Sequence, residues 1–130
     1  MQAKVTISGS YRKHFDRIVE AKKAFEQLGA VVLRPETDVV SSSDEELVRL
    51  EGDPEDLRAV QEAQLSAIAE CDLLYVVNPG GYLGPSATLE VGYAHRAGIP
   101  VVTAEAAFEP AVAAVARGSG EPVEALEFAD

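Results

Sequence analysis

The chain has 130 residues, 47% of them hydrophobic and 25% charged, which is the size and usage of one compact folded domain rather than of a disordered tail. Eleven Lys and Arg against 22 Asp and Glu give a net charge of −11, a surface that repels polyanions and so excludes DNA and RNA as partners. With Cys71 as the single cysteine there is no intrachain disulfide or cysteine-based zinc cage, and with no apolar leader and no run near 18 apolar residues the expectation is a cytoplasmic protein without membrane attachment.

Val5 to Ile7 begin a β-rich run that stops at Gly9. Phe15, Ile18, Val19, Ala21, Phe25 and Leu28 then follow helical spacing up to a cap at Gly29. Ala30 to Leu33 reads as a buried strand closed by Arg34-Pro35, completing a β-α-β unit. Residues 36–56 hold nine acidic residues around an apolar patch at Leu47, Val48 and Leu50, and are expected to form a long, partly helical surface excursion. Asp53-Pro54-Glu55-Asp56 predicts a helix start with Asp53 as N-cap and Pro54 at N1, and Leu57, Val60, Gln64 and Ile68 carry that helix to about Glu70. Asp72 to Asn78 is apolar through its centre, as expected of a central parallel strand covered on both faces. A glycine-rich loop from Pro79 to Gly84 leads into a helix from Pro85-Ser86 to Arg96 or Ala97, with a cap at Gly98. Ile99 to Val102 is a fourth strand and the alanine-rich residues 106–116 a last helix. Within 118–130, Pro122 to Phe128 is expected to form a fifth edge strand or a loose tail. The alternation predicts a single-domain α/β protein: a doubly wound, Rossmann- or flavodoxin-like parallel sheet of four to five strands with helices on both faces.

Such sheets bind ligands outside the carboxyl ends of their strands, where strand order reverses, so the loops after the first and third strands are expected to face each other. The first loop is Ser8-Gly9-Ser10-Tyr11-Arg12-Lys13-His14, and five of the eleven basic residues lie between positions 12 and 23. A helix start with local positive charge suits a phosphate or carboxylate, with Ser8, Gly9 and Ser10 cradling it and Arg12 neutralising it. The alternative is a Gly-Ser turn ahead of a solvated basic helix face. In the second loop Gly80, Gly81 and Gly84 allow close approach of a ligand to the backbone, or else make a plain flexible turn. Glu90 follows in the first turns of the next helix, suited to a nucleophile or to stabilising positive charge, or simply an acid near a helix start. Ser86 and Tyr93 share its helix face and are expected to orient it. Asn78 is expected to point toward the cleft, and Tyr11 and Tyr82 to flank it as stacking surfaces or as half-exposed tyrosines. Asp72 lies at the opposite end of its strand and is the weaker candidate, with capping of the preceding helix as its alternative role. His14 and His95 lack metal-ligand spacing and read as surface histidines, and Cys71 as a buried thiol.

The two loops resemble those of the nucleoside 2-deoxyribosyltransferase-like proteins, which include the 2-deoxynucleoside 5-phosphate N-hydrolases. The resemblance covers residues 4–103. Its most specific part is Asn78-Pro79-Gly80-Gly81-Tyr82-Leu83-Gly84-Pro85-Ser86 with Glu90-Val91-Gly92-Tyr93-Ala94, which looks like the family's catalytic-glutamate segment. Ser8-Gly9-Ser10-Tyr11-Arg12 is similar to the hydrolase branch's phosphate loop. The resemblance implies that Glu90 acts at the anomeric carbon of a nucleoside or nucleoside 5-monophosphate and that Ser10 and Arg12 grip the phosphate. It implies no metal or redox cofactor, and a homodimer or higher homo-oligomer. Two features depart from the family: the acid that commonly precedes the glutamate is replaced around Gly84 to Ser86, and Gln64 stands where hydrolases often carry Asp. Asp72 and Asn78 are the groups left to assist the leaving base. The reading that competes with N-glycosidic cleavage or transfer is a nucleotide-binding or sensing module that keeps the cleft without the chemistry, with plain structural scaffolding as a third.

Overall fold

A computed structural model describes residues 2–43, 48–54 and 56–129. Five parallel strands form the sheet: β1 (Lys4–Gly9), β2 (Val31–Arg34), β5 (Leu73–Val77), β6 (Val101–Thr103) and β7 (Gly118–Ser119), in the spatial order β2-β1-β5-β6-β7. The order reverses between β1 and β5, the doubly wound arrangement expected from the alternation of elements.

Alternation along the strands sorts side chains between two cores. Leu73, Tyr75 and Val77 of β5 join Val5 and Ile7 of β1 beneath helix α1 (Tyr11–Gln27), which contributes Ile18, Ala21 and Phe25. Leu74 and Val76 face the other way, against Ile68 of helix α2 (Leu57–Glu70), Val91 and Ala94 of helix α3 (Pro85–Arg96) and Val112 of helix α4 (Pro110–Val115). On that second face β1 presents Thr6 and Ser8, both buried, so a polar strip runs under α2 and α3. The Thr6 hydroxyl donates to the Ala67 carbonyl of α2 at 3.0 Å.

Four expectations change. The excursion is not helical: β3 (Val40–Ser43) and β4 (Val48–Leu50) pair antiparallel, Val40 opposite Leu50 and Ser43 opposite Val48. Consecutive Val and Ser residues favour extended backbone over helix, and that local preference outweighs the acidic composition. Leu47, Glu55 and the acidic residues 44–46 lie outside the described residues. Helix α2 is capped by Asp56, whose carboxylate accepts from the Ala59 amide at 3.3 Å, because Asp53 is engaged elsewhere. The fifth strand is Gly118–Ser119 rather than 122–128, where Pro122 starts the short helix α5 (Pro122–Ala125), followed by a 3-10 turn. Proline at N1 leaves no amide unsatisfied, while in a ladder it would remove a donor. Helix α4 is likewise shorter than 106–116, starting at Pro110. Among the described residues no helix is long and apolar enough to cross a membrane.

Candidate functional site

At the carboxyl ends of β1 and β5, where strand order reverses, lies a cavity of about 330 Å³, within the roughly 300–1,000 Å³ usual for small-molecule sites. Two helix starts open onto it: Ser10, Tyr11 and Arg12 of α1, and Gly84, Pro85, Ser86 and Ala87 of α3. First-turn amides have no intrahelical acceptor, so both ends present N–H groups and positive dipole to the space between them. Gly9 makes the turn into α1 with φ of 145°, and a Cβ there would lie 2.7 Å from the Val77 carbonyl oxygen, so only glycine lets β1 and β5 close at this edge.

Glu90 reaches into the cavity wall from the second turn of α3 and is only 6% exposed. Three neutral donors hold its carboxylate. The Ser8 hydroxyl donates to Oε1 at 2.5 Å, the Gln64 amide to the same oxygen at 3.3 Å, and the Gln61 amide to Oε2 at 2.9 Å. Burial pushes the Glu90 carboxyl above the ordinary carboxylate range, against the lowering influence of these three bonds and of the Arg34 charge. Gln64 is itself fixed from both sides: its amide nitrogen also donates to the Ile7 carbonyl at 3.1 Å, and its carbonyl oxygen accepts from Arg34 Nε at 3.3 Å. Arg34 pairs with Asp53 at 2.6 Å, and Asp53 accepts as well from the Leu50 amide at 3.0 Å. Burial works against the Arg34 charge, but the Asp53 carboxylate, with Tyr11 and Glu36 adding to it, leaves the guanidinium's pKa raised.

Tyr11 lines the cavity with its hydroxyl donated to the Ile7 carbonyl at 2.9 Å. Burial raises its pKa strongly; the Arg34 charge works against that rise and the negative fields of Glu90 and Asp53 add to it, so the group stays a neutral phenol. Among the described residues no three His, Cys, Asp or Glu side chains converge as metal ligands.

Comparison with solved structures identifies this architecture. A conserved protein from Enterococcus faecalis V583 superposes with a TM-score of 0.68 at 14% identity, over 99% of this chain and 98% of its own. A 2-deoxyribosyltransferase from Bacillus psychrosaccharolyticus gives 0.65 at 13% identity, over 94% and 89%. The chain has the nucleoside 2-deoxyribosyltransferase-like fold. A CMP N-glycosidase from Clostridium botulinum shares that architecture, with a TM-score of 0.60 at 16% identity over 95% of this chain and 94% of its own. No protein-family model and no curated protein sequence matches the chain.

Within this nucleoside 2-deoxyribosyltransferase-like fold the residues singled out from sequence separate into two groups. Gly9, Ser10, Tyr11, Arg12, Gly84, Ser86 and Glu90 come together around the cavity. Ser8 lies behind the wall, fully buried, touching Glu90 rather than the open space. Asn78 does not point into the cleft: its amide donates to the Glu105 carbonyl at 2.8 Å and accepts from the Glu105 amide at 2.9 Å, tying β5 to the loop after β6. Gly80 and Gly81 stay outside the cavity. Gly81 has φ of 85°, and a Cβ on it would lie 2.6 Å from the Ala106 carbonyl oxygen, so it serves backbone packing instead of ligand approach. Tyr82 is 54% exposed with the Lys13 ammonium 5.5 Å from its ring centre, and Tyr93 is exposed on the outer side of α3. Asp72 lies at the amino end of β5, where its carboxylate accepts from the Lys4 amide at 2.8 Å, so it lies outside the cavity and does not cap α2. Glu90 is oriented by Ser8, Gln61 and Gln64, not by Ser86 or Tyr93, because its side chain turns inward across β1 toward α2. The Ser10 hydroxyl accepts from the Lys13 amide at 3.2 Å and so caps α1.

Arg34, Gln61 and Asp53 are the site residues that sequence reasoning missed. Gln64 had a legible signal: it is a polar side chain in the stripe formed by Leu57, Val60 and Ile68, and a buried amide needs a partner.

Proposed function

We propose that the protein cleaves, or transfers across, the N-glycosidic bond of a nucleoside or nucleoside 5-monophosphate, with Glu90 at the anomeric carbon. The observation that carries this reading is a buried carboxylate at the cavity wall whose hydrogen-bond partners are all neutral. Breaking the C1–N bond sends its electron pair to the base and leaves positive charge on the sugar, and an anion below C1 lowers the barrier to that charge. Oε1 accepts two hydrogen bonds and Oε2 one, so Oε2 keeps the more available lone pair to face or bond C1. Water then supplies oxygen to C1 and releases a proton; in transfer a second base takes its place. The phosphate would lie between the two helix starts beside Arg12, where free amides and a guanidinium suit an anion. The neighbours of this fold named for N-glycosidase and deoxyribosyltransferase activity support the same chemistry.

The test is a thermal-shift screen with nucleosides and nucleoside 5-monophosphates, followed by chromatography for free base, since a ligand that binds the folded state raises its melting temperature. The expected result is a ligand that shifts the melt and releases base, with turnover reduced about 10³-fold in Glu90→Ala while binding persists. Equal turnover in Glu90→Ala overturns the role of Glu90. A melt shift without base release favours the binding-module reading.

A further inference from the structure

Two features of the cavity bear on which base leaves. The first is the charge of Glu90. Its three partners are a hydroxyl and two amides, and the nearest guanidinium in the network, that of Arg34, is bonded to Asp53 at 2.6 Å. The Glu90 anion therefore lacks an ion-pair partner of its own among the described residues, and a ligand carrying positive charge beside C1 would supply one.

The second is the supply of protons. The ionisable side chains lining the cavity among the described residues are Tyr11, Arg12, Arg34 and Glu90. Guanidinium groups do not release protons near neutral pH. The Tyr11 proton is committed to the Ile7 carbonyl at 2.9 Å. Glu90 is the group required as an anion. A neutral purine or pyrimidine leaves as an anion unless protonated, and a general acid for that step contributes about 10²–10⁴-fold.

From these two features we infer that the preferred substrate is an N-glycoside whose leaving base is already cationic, a pyridinium-type riboside 5-monophosphate. This rests on the N-glycosyl reading of Glu90. The step balances without a protein acid: the C1–N bond breaks, its electron pair neutralises the ring nitrogen, the base departs as a neutral pyridine, water oxygen bonds C1, and one proton is released to solvent. The positive ring lies beside the Glu90 anion in the bound state, and the charge moves to C1 as the bond breaks.

The experiment compares nicotinamide mononucleotide with CMP on the full chain, following nicotinamide and cytosine release by chromatography, with kcat/KM measured from pH 7 to 9, where the phosphate stays a dianion. The expected result is nicotinamide release with kcat/KM unchanged across that range and at least about 100-fold above that for cytosine release. Loss of the nicotinamide reaction in Glu90→Gln, with nicotinamide mononucleotide still raising the melting temperature, ties it to this site. Cytosine release at equal or greater kcat/KM, lost in Glu90→Gln, overturns the cationic-base inference and leaves the N-glycosyl reading standing. A fall in the nicotinamide reaction toward pH 9 reveals a protein acid and overturns the inference in the same way. Release of neither base, from these or other nucleotides, overturns both.

Discussion

Two buried carboxylates lie on the same side of the sheet, joined through Arg34 and Gln64, and they are held in opposite ways. Asp53 faces a guanidinium at 2.6 Å and a backbone amide at 3.0 Å, so its charge is compensated within the fold. Glu90 faces only neutral donors, and burial lifts its pKa. Nearly equal burial thus produces a structural anchor in one case and an anion poised for an external positive charge in the other. What separates them is the identity of the partner, because a buried ion pair cancels its own field while a ring of dipoles leaves one directed outward.

Asp53→Ala should have the largest effect on the fold, since it leaves the Arg34 charge without its ion-pair partner in a confined position. Chemical denaturation is expected to show a loss of about 3–5 kcal/mol. Asp53→Ala combined with Arg34→Met should recover most of that loss. If the double variant stays as unstable as the single one, Asp53 acts through the Leu50 amide instead, and the contrast between the two carboxylates weakens.

Gln64→Leu comes next. It removes one of the donors to Glu90 and one of the two side-chain donors to the Ile7 carbonyl, and leaves Arg34 Nε without this acceptor, at a cost of about 1–3 kcal/mol for the unpaired guanidinium N–H. With one fewer hydrogen bond to the ionised form, the Glu90 pKa should rise further. The acid limb of the pH–rate profile should therefore move to higher pH, a change that a merely structural role for Gln64 would not produce. An unmoved acid limb would mean that the Gln64 bond does not contribute to the ionisation of Glu90, leaving it to burial, Ser8, Gln61 and the Arg34 charge.

The same contrast marks what was readable in the chain. The central strand at 73–77, the helix opened by Pro85 and the glutamate at position 90 are local signals, carried by an apolar run, by proline and glycine punctuation and by one motif. The partners of Glu90 are not local. Gln61 is 29 residues away, Gln64 is 26 and Ser8 is 82, and each arrives only because the sheet places β1 between α2 and α3. Arg34 and Asp53 are 19 residues apart, and Asp53 reads locally as a good N-cap for α2, a role that Asp56 takes once the ion pair has claimed it. Gly81 was read differently for the opposite reason: composition shows that a backbone needs freedom, not whether a ligand or the loop at 105–108 requires it. Among the polar residues of α2, Gln64 alone announced itself, as an amide in an apolar stripe.

The smallest effect is the most diagnostic of the contrast. Because the folded-state pKa of Glu90 is raised, folding favours its protonated form, and the associated stability is fully present below the unfolded pKa of about 4.3. It is lost as pH rises through the folded value. Glu90→Gln keeps a neutral amide of similar size and lacks that loss. Melting curves should therefore show the variant matching or exceeding the wild type at pH 7, with its advantage shrinking as pH falls toward 4. A wild type that is the more stable at pH 7, by a margin growing with pH, would mean that ionised Glu90 is stabilised within the fold as a carboxylate beside a cation is. Its charge would then be compensated by the protein itself, and the argument that a substrate must bring the positive charge would lose its basis.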